Sequence, residues 1–192
     1  RVSSAQPDAP RLAPRPLQPG FGPGRGVDLD DPRTVRDAEG GFKRAIGSGE
    51  AAFSLDDSQR EGIEWLGRAA QAAEASAIVL PTAGRLSTGQ RDRDRFARYL
   101  EALRTAAEEV ALFWQPGGLW DLDLAIPQAE KFGVTLAVDP LEADLIPEGP
   151  LAYLRLVAMG ARPRITPGMS YEVIERLREH PAEEVFVAVQ SE

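Results

Sequence analysis

VALFWQPGGLW, the segment from Val110 to Trp120, is an apolar strand that runs into a glycine turn and ends on a tryptophan. In a parallel α/β protein, ligands meet the chain in the loop after a strand's carboxyl end, because the scaffold there is rigid and the loop can vary. Here that loop reads QPGG, residues 115–118. None of these side chains exchanges a proton at neutral pH, so the segment indicates a fold more clearly than an activity.

Strands and helices are predicted to alternate outward from this segment. Apolar runs predict about six strands, which are 50–55, 76–81, the run from 110, 134–139, 151–157 and 184–189. Helical spacing predicts four helices between them, with inner faces at Ile63, Leu66, Ala70 and Ala73; at Phe96, Tyr99, Leu100, Leu103 and Val110; over Asp121–Phe132 before a stop at Gly133; and at Tyr171, Ile174 and Leu177. Capping chemistry at residues 56–58 is expected to start the first helix.

This alternation predicts an α/β fold of parallel βα units, either a barrel or an open doubly wound sheet. No nucleotide-type glycine pattern follows any predicted strand, which weakens the dinucleotide-binding alternative.

Residues 1–41 differ in composition from the rest and predict an extended Pro/Gly-rich arm. Proline fixes φ and lacks an N–H donor, so this segment cannot build a core. It can serve as a flexible linker, or it can become ordered along a protein partner through spaced apolar anchors. The candidate anchors are Leu12, Leu17, Phe21 and Val27.

The bulk composition excludes several classes of function. The net charge of -8 argues against nucleic acid or an anionic membrane as partner, since both favour a basic surface. The chain has no cysteine, which excludes disulfides, thiolate metal sites and cysteine nucleophiles. No run approaches the roughly 20 apolar residues that span a bilayer. We therefore expect an acidic, cytoplasmic protein.

Five short motifs follow one another from about residue 50 to the end of the chain. They are SAIVLP (76–81), WQPGGLW (114–120), AVDP (137–140), AYLRL (152–156) and VFVAVQS (185–191). In this order they resemble the later part of the YecE-like family, the domain of unknown function 72. The resemblance implies that residues 42–192 form a TIM-type barrel without its first part.

The resemblance also implies that the family's polar site is degenerate here. Gln115 and Gly117 stand where the family usually has a glutamate and an arginine, and Val157 stands where it has a histidine. The other departures are Ala158 for a glycine and Gln190 and Ser191 for paired asparagines, whereas Trp120, Asp139, Tyr153, Arg155 and Leu156 are kept.

The family's two opening strands have no counterpart, and the proline-rich arm occupies their place. Strands near Phe53 and Phe186 would then carry unpaired edges, which is an aggregation liability. We expect the arm, a second copy or another protein to cover them.

Little in the chain is suited to acid-base chemistry, so we expect no catalytic residue, no cofactor and no metal site. The candidate ligand-binding residues are Gln115, Trp120, Asp139 and Arg155. Arg155 would suit an anionic ligand, although an ion pair with Asp139 would hold both groups inert.

Other charged residues are interpreted as structural rather than functional. His180, the only histidine, is interpreted as a helix C-terminal cap, and Asp121 and Asp123 as helix-start residues rather than a metal pair. The arginine-rich face of the second helix is interpreted as solvated and paired with its own acids.

Three functions remain open. The first is a non-catalytic accessory subunit, a pseudoenzyme tethered to a larger assembly through its arm and open sheet edges. The second is a domain that binds a small anionic ligand. The third is a hydrolase-like enzyme that uses Asp139.

Overall fold

The computed structural model describes residues 45–47, 52–82, 84–158 and 164–191. Within these ranges, five parallel strands form one sheet that curls into a half-barrel, accompanied by four helices. The elements in chain order are α1 (Asp57–Ala72), β1 (Ala77–Pro81), α2 (Gln90–Ala106), β2 (Ala111–Gln115), α3 (Leu122–Phe132), β3 (Thr135–Val138), β4 (Leu151–Ala158), α4 (Pro167–Arg178) and β5 (Glu184–Ser191).

The strands lie side by side in the order of the chain, β1-β2-β3-β4-β5. The parallel pairs are aligned as Val79 with Phe113, Phe113 with Thr135, Ala137 with Tyr153 and Tyr153 with Phe186. Because each crossover adds its strand on the same side, right-handed connections place the helices on one face of the sheet. The predicted class of parallel βα units is therefore confirmed, as a half-barrel.

One crossover contains no helix. Residues 139–150, between β3 and β4, are turns and irregular backbone. Ile146 is buried there, and the Arg176 guanidinium of α4 donates to the carbonyl oxygens of Pro140 and of Asp144, the latter at 3.0 Å. This loop thus occupies the place of a helix and is held by α4.

The start of α1 shows why the predicted strand over residues 50–55 is wrong where the structure describes it. Phe53 and Leu55 both have φ of 60°, which is left-handed rather than extended backbone. Asp56 caps the helix by accepting from the Gln59 N–H at 2.9 Å, and Gln59 Oε1 accepts from the Leu55 N–H at 2.8 Å. These local bonds favour a capped turn over a strand.

Phe53 is an anchor of the core rather than a strand residue. It is fully buried, and its ring meets Phe96 and Tyr99 edge-on at 4.9 and 5.0 Å. The edge that we predicted near Phe53 consequently lies at β1, while β5 forms the opposite edge within the described part of the sheet.

The two faces of the sheet are packed differently. The face toward the helices carries the main core, with Leu80, Trp114 and Leu154 at its centre. The other face carries a smaller cluster of Phe113, Ala137 and Phe186. The alternation of these side chains along each strand follows from the two-residue period of extended backbone.

Two predicted helix faces differ from the observed ones. Val110 lies beyond the end of α2, which stops at Ala106. In α4 the buried residue is Val173, whereas Tyr171 and Ile174 are 61% and 48% exposed. In α1, Ile63, Leu66 and Ala70 are buried as predicted, whereas Ala73 is the half-buried C-cap; Gly133 ends α3 with φ of 64°.

Candidate functional site

Three of the four predicted ligand-binding residues come together at the carboxyl edge of the sheet. Gln115 ends β2, Asp139 directly follows β3, and Arg155 lies in β4. The Arg155 guanidinium donates to Gln115 Oε1 across the intervening strand. The Asp139 carboxylate accepts from the N–H groups of Leu141 at 2.9 Å and Val157 at 3.4 Å. The ion pair between Asp139 and Arg155 stays a prediction.

Below this group, three aromatic rings form the apolar cluster of the same face. Tyr153 stacks on Phe186 with ring centroids 6.1 Å apart and contacts Phe113 at 5.1 Å. Burial raises the pKa of the Tyr153 hydroxyl, although the neighbouring Arg155 charge opposes the shift. Tyr153 therefore stays protonated at neutral pH and offers a neutral hydroxyl beside a cation.

Trp120 lies apart from these residues. It is 5% exposed, belongs to the core between sheet and helices, and meets Trp114 edge-on at 5.0 Å. Its indole N–H donates to the Leu86 carbonyl at 3.1 Å, and the Arg93 guanidinium lies 5.3 Å from the ring centroid. Trp120 thus joins the loop after β2 to the loop after β1.

Those two loops and the start of α2 border an open cleft with a volume of about 540 Å³. We call it the arginine cleft; it is lined by Gly84, Arg85, Leu86, Ser87, Arg91, Asp92, Arg95, Gly117, Gly118 and Leu119. Beneath the cleft, the ends of β1 and β2 are joined by a hydrogen bond in which the Gln115 carbonyl accepts from the backbone N–H of Thr82 at 3.0 Å. The cleft lies at the carboxyl edge, and its volume is in the range of small-molecule sites.

The backbone conformation favours glycine where the two loops meet. Gly84 and Gly118 have φ of 70° and 71°, a left-handed conformation that other residues adopt at a cost. A Cβ on Gly118 would lie 3.7 Å from the Gly84 nitrogen. This backbone geometry shapes the mouth of the cleft.

The charges of the cleft do not cancel. Asp92 contacts the Arg95 guanidinium at 3.0 Å and accepts from the Ser87 N–H at 3.0 Å. Hydrogen bonds from Ser87, aided by the charges of Arg95 and Arg91, hold the pKa of Asp92 below its ordinary value of 3.8 against the opposing effect of burial. Among the described residues, no hydrogen bond or ion pair holds the guanidinium groups of Arg85 and Arg91.

The sequence did not reveal this cleft, because the arginines of α2 were all interpreted as paired with acids of their own helix. That interpretation is confirmed for Arg95, which pairs with Asp92, whereas the Nε of Arg98 donates to the backbone carbonyl of Asp94 at 3.3 Å rather than to a carboxylate. Arg91 differs because it faces the loop that carries Arg85. An arginine shortly after a predicted strand, followed by a second arginine in the first turn of the next helix, was the available signal.

The remaining predicted residues have structural roles or lie outside the description. Asp121 caps α3 by accepting from the Leu124 N–H at 3.0 Å. His180 follows α4; its Nε2 lies 3.1 Å from the Pro147 carbonyl, and its Nδ1 accepts from the Ala182 N–H at 3.2 Å. The arm over 1–41 and its candidate anchors Leu12, Leu17, Phe21 and Val27 lie outside the described residues.

The described residues hold neither a metal-type cluster nor a membrane-spanning helix. They contain no cluster of three or more histidine or carboxylate side chains placed to hold a metal ion. They also contain no helix with the length and apolar character that crossing a membrane requires.

Comparison with known proteins gave no relative from which a function could be transferred. No protein-family model, curated protein or solved structure matches the chain. The resemblance to the YecE-like family therefore stays a prediction, and the functional argument rests on the geometry of the site.

Proposed function

We propose that this protein is a binding domain for a small anionic ligand, which it holds in the arginine cleft. The observation that carries the proposal is that Arg85 and Arg91, without partners among the described residues, line one cleft at the carboxyl edge of a parallel sheet. Guanidinium groups present planar, permanently charged donor forks that match carboxylate and phosphate oxygens.

The charge count of the cleft supports an anion as ligand. Its lining contains three arginines and one carboxylate, and the carboxylate of Asp92 is engaged by Arg95. The cleft thus has a local excess of two positive charges in a protein whose net charge is -8. An anion bound there would be attracted directly by Arg85 and Arg91.

This proposal keeps the predicted ligand class and moves the site. Arg155 donates to Gln115, and Asp139 accepts from two backbone N–H groups, so these side chains are held by contacts within the protein. The arginine cleft is its neighbour along the same edge, since Gln115 leads directly into the loop that carries Gly117 and Gly118.

The test is calorimetric titration of the full chain with inorganic phosphate and pyrophosphate, supported by thermal shift, since a ligand of the native state raises apparent stability. We expect binding that weakens with salt, because the arginines are exposed. Arg91→Gln and Arg85→Gln should each reduce the affinity about tenfold, as expected for loss of one charge-assisted contact of about 1.5 kcal/mol. Arg91→Lys should recover part of the loss.

The matched control is Arg98→Gln, which removes an exposed arginine from the same helix outside the cleft. It should bind as the parent does. Equal affinities for the parent and both cleft variants, or no binding of either anion, would refute the proposal.

An accessory subunit is the second candidate function. It is supported by exposed apolar side chains on the last two elements, Tyr171 and Ile174 in α4 and Val187 and Val189 in β5, where β5 is an edge of the described sheet. A protein partner that adds a strand to β5 would cover them. The native mass of the protein isolated from its source, compared with that of the recombinant chain, tests this idea: monomers in both preparations would count against it.

We also propose that the half-barrel is part of a degenerate TIM-type barrel of the YecE-like kind. The support is the strand order, in which each parallel strand is added next to its predecessor, as in successive units of such a barrel. A solved structure of the whole chain with a different strand order would contradict this proposal.

A further inference from the structure

The arginine cleft has an apolar residue at its mouth. Leu119 follows Gly118 and is 74% exposed, the highest value among the large hydrophobic side chains of the described ranges. The other large apolar side chain of the lining, Leu86, is only 5% exposed. Single exposed leucines are common on protein surfaces, so its exposure alone says little.

The position of Leu119 is more informative than its exposure, because this residue lines the same cleft as Arg85 and Arg91. A ligand whose anionic group reached these arginines could place an adjoining apolar group against Leu119 and remove both from water. A bare inorganic anion would leave the leucine exposed. The lining therefore offers cationic groups for the anionic part of an amphiphilic ligand and an apolar side chain for its apolar part.

The charge of the ligand follows from the same residues. Asp92 and Arg95 form one ion pair, which leaves the two positive charges of Arg85 and Arg91. A phosphate monoester carries about -1.5 to -2 charges at neutral pH and has three acceptor oxygens for two guanidinium forks. A single carboxylate would balance only one of the two.

We propose that the arginine cleft binds a phosphate monoester of a compact aromatic or aliphatic group, with the phosphate against Arg85 and Arg91 and the apolar group against Leu119. This inference rests on the anion-binding function proposed above. It adds that the ligand is an organic phosphate rather than a free anion.

The experiment compares phenyl phosphate with inorganic phosphate by calorimetric titration of the full chain at about pH 8, where the ester is a dianion. We expect phenyl phosphate to bind about fivefold to tenfold more tightly, as burial of part of one leucine side chain and part of a ring would give. Leu119→Ser should abolish this difference, because it should weaken the binding of phenyl phosphate more than that of inorganic phosphate. Arg91→Gln should weaken the binding of both probes.

The matched control is Leu124→Ser, which replaces a 46% exposed leucine of α3 that does not line the cleft. It should keep the preference for phenyl phosphate. All the substituted side chains are exposed, and circular dichroism melting checks that each variant is folded.

The outcomes separate the two proposals. If neither inorganic phosphate nor pyrophosphate binds, the proposed function itself fails, and the present inference with it. If both probes bind with equal affinity, or if Leu119→Ser keeps the preference, only the present inference is overturned. Sedimentation with vesicles of phosphatidic acid in phosphatidylcholine distinguishes a lipid source of the phosphate: co-sedimentation that phenyl phosphate does not reverse would overturn the assignment to a soluble monoester.

Discussion

Gly67→Ala tests the packing of α1 on α2, at the end of α2 opposite the arginine cleft. A Cβ on Gly67 would lie 2.0 Å from the carbonyl oxygen and 2.7 Å from the carbonyl carbon of Ala106, the last residue of α2. Ordinary contact begins at 3.4 Å, so the two backbones would have to separate by roughly 1.4 Å. Backbone atoms cannot rotate away as a flexible side chain can, so the helices themselves must shift.

The cost follows from two opposing effects. Overpacking of this kind costs about 1 to 3 kcal/mol, and contact with backbone places Gly67 at the upper end of that range. Replacing glycine by alanine inside a helix returns up to about 1 kcal/mol. We therefore expect a net loss of about 2 kcal/mol in the free energy of unfolding. For a chain of this size that lowers the melting temperature by about 4 to 8 °C.

The assay is urea and thermal unfolding followed by circular dichroism, with the urea dependence of the unfolding free energy unchanged between variants. Gly168→Ala is the matched control, because its Cβ would meet only Thr166 Oγ1, at 3.9 Å, in the first turn of α4. The control should be as stable as the parent or slightly more stable. If Gly67→Ala also retained full stability, the close approach of α1 and α2 would be wrong.

Three further substitutions test single interactions. Thr82→Val removes the hydroxyl that accepts from the buried Trp114 indole N–H at 2.7 Å and should cost about 1 to 3 kcal/mol in urea unfolding; an unchanged midpoint would contradict that bond. Tyr99→Phe removes a buried hydroxyl without a partner in the described structure and should leave stability unchanged or raise it by up to about 1 kcal/mol, whereas a loss would show that the hydroxyl is hydrogen-bonded. Because the pKa of Asp92 is lowered in the folded state, its stabilising effect is present above pH 3.8 and is lost as the pH falls through the lower folded pKa. Asp92→Asn should therefore be less stable than the parent at neutral pH, and the two stability curves should converge in acid; parallel curves would refute the contact with Arg95.

The fold could be predicted from the sequence where a local pattern and burial agree. The run AIVLP forms β1, in which Ile78 and Leu80 are buried, and Phe96, Leu100 and Leu103 form one buried face of α2. The prediction failed at residues 52–55, because an apolar run suggested extended backbone while Asp56 and Gln59 bind the preceding turn. Periodicity does not register such side-chain bonds to backbone.

The prediction of which face of α4 is buried was wrong for a different reason. Tyr171, Ile174 and Leu177 have helical spacing, and the spacing predicts that they share a face. It does not predict which face has a neighbour to pack against. In the described structure Val173 takes the buried position, and Tyr171 and Ile174 remain exposed. Burial of a stripe depends on the tertiary neighbour, which one segment of sequence cannot specify.

The sequence predicted that the candidate site lies at the carboxyl edge of the sheet, but it did not predict which residues line the arginine cleft. The carboxyl ends of parallel strands share one edge, which is why Gln115 and Arg155 meet although 40 positions separate them. The arginine cleft forms between the loop after β1 and the start of α2, so its charge depends on which arginines find acidic partners in three dimensions. Arg95 forms a direct ion pair with Asp92, whereas Arg91 acts on the same carboxylate only through its charge.

The acidity of the whole protein does not prevent it from binding an anion, because the charges are separated along the strands. Glu108, Glu109 and Glu184 line a second cleft at the amino edge of the sheet, whereas the arginine cleft lies at the carboxyl edge. The four residue steps of β2 separate these edges by about 13 Å. That distance exceeds the Debye length of about 8 Å at physiological ionic strength, so the repulsion from the glutamates is largely screened at the arginines. Net charge therefore excludes a broad anionic partner such as a membrane or nucleic acid more strongly than it excludes a small phosphate enclosed by Arg85 and Arg91.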